Sequence, residues 1–350
     1  MSGHQHGGQV ERAFAAHGLA PKPVIDFSVN VSPLGPPPAL LEAWPRYLDS
    51  VPNYPDPDGA PLCDYYHQRY GLDPESVLPL NGSIEGIYLL PRLLGLKRVT
   101  VPKPGFFDYA AACRLAGVEV APWQLDAADG FSFDGIEHQL AGVDGVFLGS
   151  PHNPTGQVIE RGLLLGLCDQ FPQITFMIDQ AFIHLCDNPQ GLSLLAPEHF
   201  RPNLLVLHSL TKEWALPGLR LGGLVGPSEV IAKLKAQLPP WRLSGPALAA
   251  LADLTDQEVY ENSRQEMLDA ERLRLFAALA DCPKLELIPS HSNFFLARYL
   301  GGLDDLLKRA LERGIMLRDG RNFEGLDGDW FRFAILSPDH NDRLIEFLHE

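Results

Sequence analysis

Long apolar runs are missing from this sequence. Nowhere do about eighteen apolar residues follow one another, so no stretch is written as a membrane-spanning helix. Positive charge is scarce. Lys and Arg number 28 against 44 Asp and Glu, a formal net charge of -16. Such a surface repels a phosphate backbone, so nucleic acid is not an expected partner. Any anionic substrate must then be met by a local cluster of cations. Cysteine is sparse as well: Cys63, Cys113, Cys168, Cys186 and Cys282 are odd in number and never spaced C-x-x-C. That argues against a disulfide framework and against a metal site. The opening MSGHQHGG lacks the basic start and apolar core of a secretory signal, so the expected location is the cytoplasm. There is no internal repeat and no low-complexity linker. A G-x-G-x-x-G fingerprint is also absent, which removes a dinucleotide-binding oxidoreductase from consideration.

What is present reads as a globular enzyme. Hydrophobic residues make up 45% and charged residues 21% of 350 residues, a length greater than one core usually serves. Residues 1–48 read as an N-terminal arm, part of which packs with a small domain, carrying one short helix near 39–48 in a proline-rich setting. Residues 49–246 read as a large domain. Short apolar runs at 77–80, 98–101, 118–121, 145–149, 174–178, 204–207 and 222–225 alternate with amphipathic segments such as 84–94 and 109–116. Strands alternating with helices imply an α/β fold, here a mostly parallel seven-stranded sheet covered on both faces. Residues 247–350 read as a smaller α+β domain. It comprises a long helix over 247–280, strands at 285–288, 293–297, 315–318 and 330–335, and a helix at 303–313. In parallel sheets ligands gather at the carboxyl ends of strands, so the segments just after each strand hold the candidates.

The segment HSLTKEWALPGLRLGG (208–223) follows one strand. Ser209 and Thr211 offer hydroxyls to a phosphate, and Lys212 lies between them and Arg220. A lysine flanked by phosphate binders suits an aldehyde cofactor that bears its own phosphate, and nearby cations keep its amine reactive. Asp179 ends the run ITFMID; it either pairs with a protonated ring nitrogen or caps a helix. In SPHNPTGQ (150–157) Asn153 either bonds a cofactor oxygen or belongs to a plain turn. In NGSIEG (81–86), Gly82 and Ser83 open a helix whose N-terminus favours an anion. Phe106 of PKPGFFDY either lies flat on an aromatic ring or fills the core.

These motifs, in this order, resemble the aspartate-aminotransferase fold family of pyridoxal 5'-phosphate enzymes, fold type I, over nearly the whole chain. The resemblance implies that Asn153 binds the ring oxygen, Asp179 the ring nitrogen and Lys212 the aldehyde carbon. Ser209, Thr211, Arg220 and the Gly82–Ser83 turn would hold the phosphate. It also implies a homodimer in which Tyr54 of NYPDPDG reaches the neighbouring subunit's cofactor phosphate. One departure stands out: where many members have D-x-A-Y, this chain has Asp179-Gln180-Ala181-Phe182, and Phe182 has no hydroxyl to give the ring oxygen.

Within that family HGG (6–8), DFSVNVSPLG (26–35), NYPDPDG and RDGRNFEGL (318–326) resemble the threonine-phosphate decarboxylases of cobalamin biosynthesis, although Ser32 replaces the second asparagine of their N-x-N-P. The implied substrate, L-threonine O-3-phosphate, carries a carboxylate and a phosphate. Arg318 and Arg332 suit it because guanidinium forks bind both groups bidentately. Asn30 and Asn153 join them as substrate ligands, and His6 either touches the substrate phosphate or is a solvated terminal histidine. The expected reaction is decarboxylation at Cα with Lys212 returning the proton. The rival is an aminotransferase for histidinol phosphate or a similar amino donor, run by the same residues when the Cα–H bond breaks instead.

Overall fold

Short runs that are apolar at successive rather than alternate positions bury both of their faces, and this pattern builds the central sheet. In a computed structural model that describes residues 6–350, seven strands compose it: β1 (Val77–Asn81), β2 (Arg98–Lys103), β3 (Glu119–Gln124), β4 (Gly145–Gly149), β5 (Thr175–Asp179), β6 (Leu204–Ser209) and β7 (Leu221–Val225). Their spatial order is β1-β7-β6-β5-β4-β2-β3. The sheet is parallel throughout except for β7, which runs antiparallel to both of its neighbours. Alternate residues feed two cores. Phe147, Met177, Leu205 and Leu207 pack under the helices Ser83–Leu93, Phe107–Leu115 and Ser228–Lys235. Val146, Leu148, Ile178 and Val206 pack under Ala60–Tyr70, Arg161–Gln170 and Gly245–Ala250.

The reversed strand positions the site. Asn81 is registered with Leu221, and Ser209 with Gly222. The start of β7 therefore lies at the edge where β1 and β6 end, so Arg220 joins residues that leave the carboxyl ends of the parallel strands.

A second, antiparallel sheet has the order β10-β11-β9-β8, with β8 (Leu285–Leu287), β9 (Phe294–Tyr299), β10 (Arg318–Asp319) and β11 (Trp330–Ala334). Helix Leu303–Glu312 lays Leu303, Leu306, Leu307 and Ala310 on its core side, the i, i+3, i+4, i+7 spacing of an amphipathic helix. The N-terminal segment ties this sheet to the large one. Ile25 and Asp26 pair in parallel with Ile315 and Met316. A few residues further on, the Ser32 N–H donates to the Lys212 carbonyl at 2.8 Å. The Ser32 hydroxyl meets that of Tyr260 at 2.6 Å, a polar tie at the position that departs from N-x-N-P.

Three expectations need correction. The stretch 247–280 is not one helix but Gly245–Ala250, a tight turn Leu251–Leu254 and Glu258–Leu279. Polar side chains draw the backbone off course between them: Thr255 donates to the Leu251 carbonyl, and Gln257 to that of Asp253 at 2.8 Å. The run 315–318 is split, its first half pairing with Ile25–Asp26 and its second with β11. The N-terminal arm carries a further helix, Val10–Ala16, whose buried Phe14 packs on Leu311 and Met316. No helix among the described residues is long and apolar enough to cross a membrane.

Candidate active site

A cavity of about 580 Å³ opens at the carboxyl edge of the large sheet, against the small sheet and the N-terminal segment. One end is built for an anion. Gly82, at φ +77, precedes the helix Ser83–Leu93, and a Cβ there would come within 2.4 Å of Arg220 Nη2. Only glycine suits this backbone conformation and lets the guanidinium lie against the turn. Ser209 and Thr211 are buried, and Thr211 Oγ1 has no hydrogen-bond partner. A buried hydroxyl without a partner is costly, and a phosphate oxygen would satisfy it. Arg220 itself holds the left-handed φ of 56, a conformation that bulky side chains adopt only when the surroundings impose it.

The floor holds a carboxylate and an amine. Asp179, at the end of β5, accepts the Tyr109 hydroxyl at Oδ2 and the Ala181 N–H at Oδ1, both at 2.9 Å. Burial pushes its carboxyl up to about 6 while both hydrogen bonds oppose the rise. Lys212 sits in the short helix Leu210–Glu213. Burial, then Arg332 and Arg220, pull its amine down to about 8, so a sizeable neutral fraction exists near neutrality. Phe182 faces it, with the ring centroid 5.8 Å from Nζ. Phe106 lines the cavity edge-on to Tyr109 at 5.5 Å.

The opposite wall is cationic. Arg318 and Arg332 are directly opposite each other across β10 and β11 and are 5% and 6% exposed. Like charges facing each other in a sheet destabilise it, and burial deepens the cost. Accordingly Arg318 is lowered to about 10 by burial, and Arg332 to about 9 by burial and by Arg318. Arg332 is steered by neutral oxygens: it donates to Asn153 Oδ1 and, at 3.0 Å, to the Ser28 carbonyl. Asn30, with its amide oxygen turned to the guanidinium, accepts at 3.2 Å from Nε and Nη1. Arg318 donates to the Asp319 carbonyl and to Asn322 Oδ1. His6 lines the same cavity with its ring 4.9 Å from that of Phe107. The adjoining strap is fixed by the Gly8 N–H donating to Ser28 Oγ at 2.8 Å.

Of the residues expected from the sequence, all but two line this cavity. Gly82 lies behind Arg220. Tyr54 is 86% exposed, against Trp241 and away from the cavity of its own chain. Sequence reasoning passed over Tyr109, Ser28 and Phe323. Tyr109 lies within an amphipathic segment, and the residue it serves, Asp179, is 70 positions away. Among the described residues one trio, His184, His208 and Glu213, brings metal-type ligands together. There Tyr70 already occupies His184 Nε2 at 2.9 Å, and Arg69 lies 3.9 Å from the carboxylate. His208 Nε2 and both Glu213 carboxylate oxygens have no hydrogen-bond partner.

The arrangement fits pyridoxal 5'-phosphate. The partnerless Thr211 hydroxyl, the Gly82 turn and Arg220 suit its phosphate. Asp179 suits its ring nitrogen, Asn153 its ring oxygen and Lys212 its aldehyde.

Comparison with known proteins gives the family. The family model "Aminotransferase class I and II" matches residues 22–348. The threonine-phosphate decarboxylase of Salmonella typhimurium is 34% identical, over 98% of this chain and 95% of its own. Two solved structures superpose closely, each at 26% identity over 92% of this chain and 97% of theirs. They are the L-threonine-O-3-phosphate decarboxylase of Porphyromonas gingivalis, with a TM-score of 0.84, and the histidinol-phosphate aminotransferase of Clostridium acetobutylicum, with a TM-score of 0.85.

Proposed function

We propose, for a chain that belongs to the aminotransferase class I and II family and is a pyridoxal-phosphate-dependent enzyme, that it decarboxylates L-threonine O-3-phosphate to (R)-1-aminopropan-2-ol O-phosphate in cobalamin biosynthesis. The observation that carries this reading is the buried pair Arg318 and Arg332, set opposite each other in one sheet. Two buried like charges are best explained by a ligand with two anionic groups, and this substrate brings a carboxylate and a phosphate.

Pyridoxal phosphate, when bound, supplies the electron sink that lets a bond at the substrate's Cα break. Asp179 would accept a hydrogen bond from the ring nitrogen, and Tyr109 and the Ala181 N–H hold that carboxylate in line. Arg332, steered by Asn153, Asn30 and Ser28, takes the substrate carboxylate with its fork, and Arg318 and His6 face the substrate phosphate. The carboxylate leaves as CO2, and the electron pair of the broken C–C bond ends in the Cα–H bond formed when Lys212 delivers a proton there as general acid. The decarboxylase relative supports the choice of the bond that breaks. The hydroxyl-free Phe182 ring beside Lys212 is one difference from aminotransferases that keep a tyrosine.

A homodimer completes the site on this reading, with Tyr54 reaching the partner's cofactor phosphate. Its support is an exposed apolar stripe, Leu41, Trp44 and Leu48, at i, i+3 and i+7 of the segment leading to Tyr54. Contiguous exposed apolar surface of this kind suits an interface. Five free thiols, four of them buried, support a reducing location such as the cytoplasm.

Incubating the loaded protein with L-threonine O-3-phosphate and no oxo-acid tests the reaction. Catalytic release of CO2 and aminopropanol phosphate, abolished in Lys212→Ala, is the expected result. No CO2, but turnover of histidinol phosphate once 2-oxoglutarate is present, would refute the decarboxylase and leave the aminotransferase.

A further inference from the structure

Phe323 is 2% exposed and sits in the turn between β10 and β11. Its ring centroid is 5.1 Å from Arg318 Cζ and 6.0 Å from Arg332 Cζ. One ring thus serves both of the like charges that the sheet register sets face to face. An aromatic face attracts a cation through its quadrupole and brings no negative charge. A carboxylate in the same place would neutralise the guanidiniums and compete with an incoming anion. The ring orients them and adds no charge of its own to that of the nearby Asp319 and Asp26 carboxylates. Phe294 has a similar relation to Arg332 alone, at 5.2 Å.

The turn that presents Phe323 is anchored to the other sheet. Glu324 pairs with Lys103 and lies 3.4 Å from Arg114 Nη2. Gln124 Nε2 donates to the Gly325 carbonyl at 3.1 Å. Gly325 holds φ +96, and a Cβ there would come within 2.9 Å of Lys103 Cβ. Lys103 and Gln124 are the last residues of β2 and β3. The latch therefore fastens the Phe323-bearing turn between the two arginine strands to the edge of the large sheet where the cofactor residues gather.

We infer that Phe323 is a positioning residue that aligns Arg318 and Arg332 for a doubly anionic substrate, and that Glu324 latches its turn in place. This rests on the proposal that the two arginines hold the substrate's anionic groups.

The test compares Phe323→Tyr, Phe323→Leu and Glu324→Gln with the unaltered protein, all loaded with pyridoxal phosphate. KM and kcat for L-threonine O-3-phosphate are measured, and calorimetric titration with inorganic phosphate gives a readout independent of turnover. Phe323→Leu should raise KM and weaken phosphate binding about tenfold with kcat within about twofold, and Phe323→Tyr should keep unaltered values. Glu324→Gln should produce the same change to about threefold. Unchanged KM and phosphate affinity in Phe323→Leu would overturn the inference, as would equal losses in Phe323→Tyr or no phosphate binding by the unaltered protein. Should Phe323→Leu fail to fold, Glu324→Gln decides, because its side chain is 57% exposed and its loss leaves the core intact; unchanged phosphate affinity there would refute the latch and the alignment it serves. If no protein in the series releases CO2, the proposed reaction falls while the phosphate titrations still decide the role of Phe323.

Discussion

Tyr109 gives its hydroxyl hydrogen to Asp179 across 2.9 Å, from a ring stacked on Phe147 at 4.5 Å between centroids. The carboxylate is thereby aimed by a helix that is itself packed against the sheet. Because the bond favours the ionised form, it works against the burial that lifts Asp179 to about 6. Tyr109→Phe removes the donor and raises Asp179 further. A protonated ring nitrogen needs the carboxylate ionised, so cofactor affinity should fall on the acid side of about pH 6 in the unaltered protein. In Tyr109→Phe that fall should move up by about one pH unit. Absorbance titration with pyridoxal phosphate between pH 5 and 8 reads both curves; an unmoved acid limb would remove Asp179 from its role at the ring nitrogen.

Lys212 makes the opposite prediction for stability. Its amine is lowered to about 8 from 10.5 in the folded chain, so folding favours the neutral form. The stabilisation is complete above the unfolded value and is lost as pH falls through about 8. Without cofactor, Lys212→Met should therefore raise the melting temperature by about 5 °C at pH 7 and by much less at pH 10. Equal shifts at both pH values would show that the ammonium is not the source of the cost.

Gly82 offers a steric prediction. An added methyl group would meet Arg220 at 2.4 Å in a backbone conformation that disfavours it. Gly82→Ala should displace the guanidinium and weaken pyridoxal phosphate about tenfold, within the ~1–3 kcal/mol that such a strained conformation costs. Equilibrium dialysis against the free cofactor measures it. Retention at the original affinity would place the phosphate elsewhere.

How much of this was legible in the sequence depended on how local each cause is. The strands at the middle of the sheet could be read because they are apolar runs bounded by turn residues, and Asp179, Ser209 and Lys212 followed as residues at or just beyond strand ends. Tyr109 could not be given a role, because its partner is 70 positions away. The facing of Arg318 and Arg332 is a register between two short strands, and the sequence offers the two arginines without that register. The break after Ala250 was hidden for a different reason. Its Ala- and Leu-rich composition favours helix, and the interruption comes from side chains of Thr255 and Gln257 bonding the backbone. Helix Val10–Ala16 carries one buried residue, Phe14, and takes its support from Leu311 and Met316 near the other end of the chain.

Arg332 separates geometry from charge. Its guanidinium donates at once toward Asn153, Asn30 and the Ser28 carbonyl, and those neutral oxygens fix the plane of the fork without cancelling its charge. Lysine keeps the charge but gathers its donors on one atom, so it cannot hold these partners in their separate directions and still present an N–H group to a carboxylate. Arg332→Lys should therefore lower kcat/KM for L-threonine O-3-phosphate about 100-fold, ~3 kcal/mol of lost binding in the reacting complex. The cofactor should still bind, since Asp179 and the phosphate end are untouched. Arg332→Gln, which loses the charge as well, should fall further. A lysine variant with kcat/KM within about twofold of the original would mean that charge alone suffices and that the spread of the guanidinium's donors is not what holds the substrate.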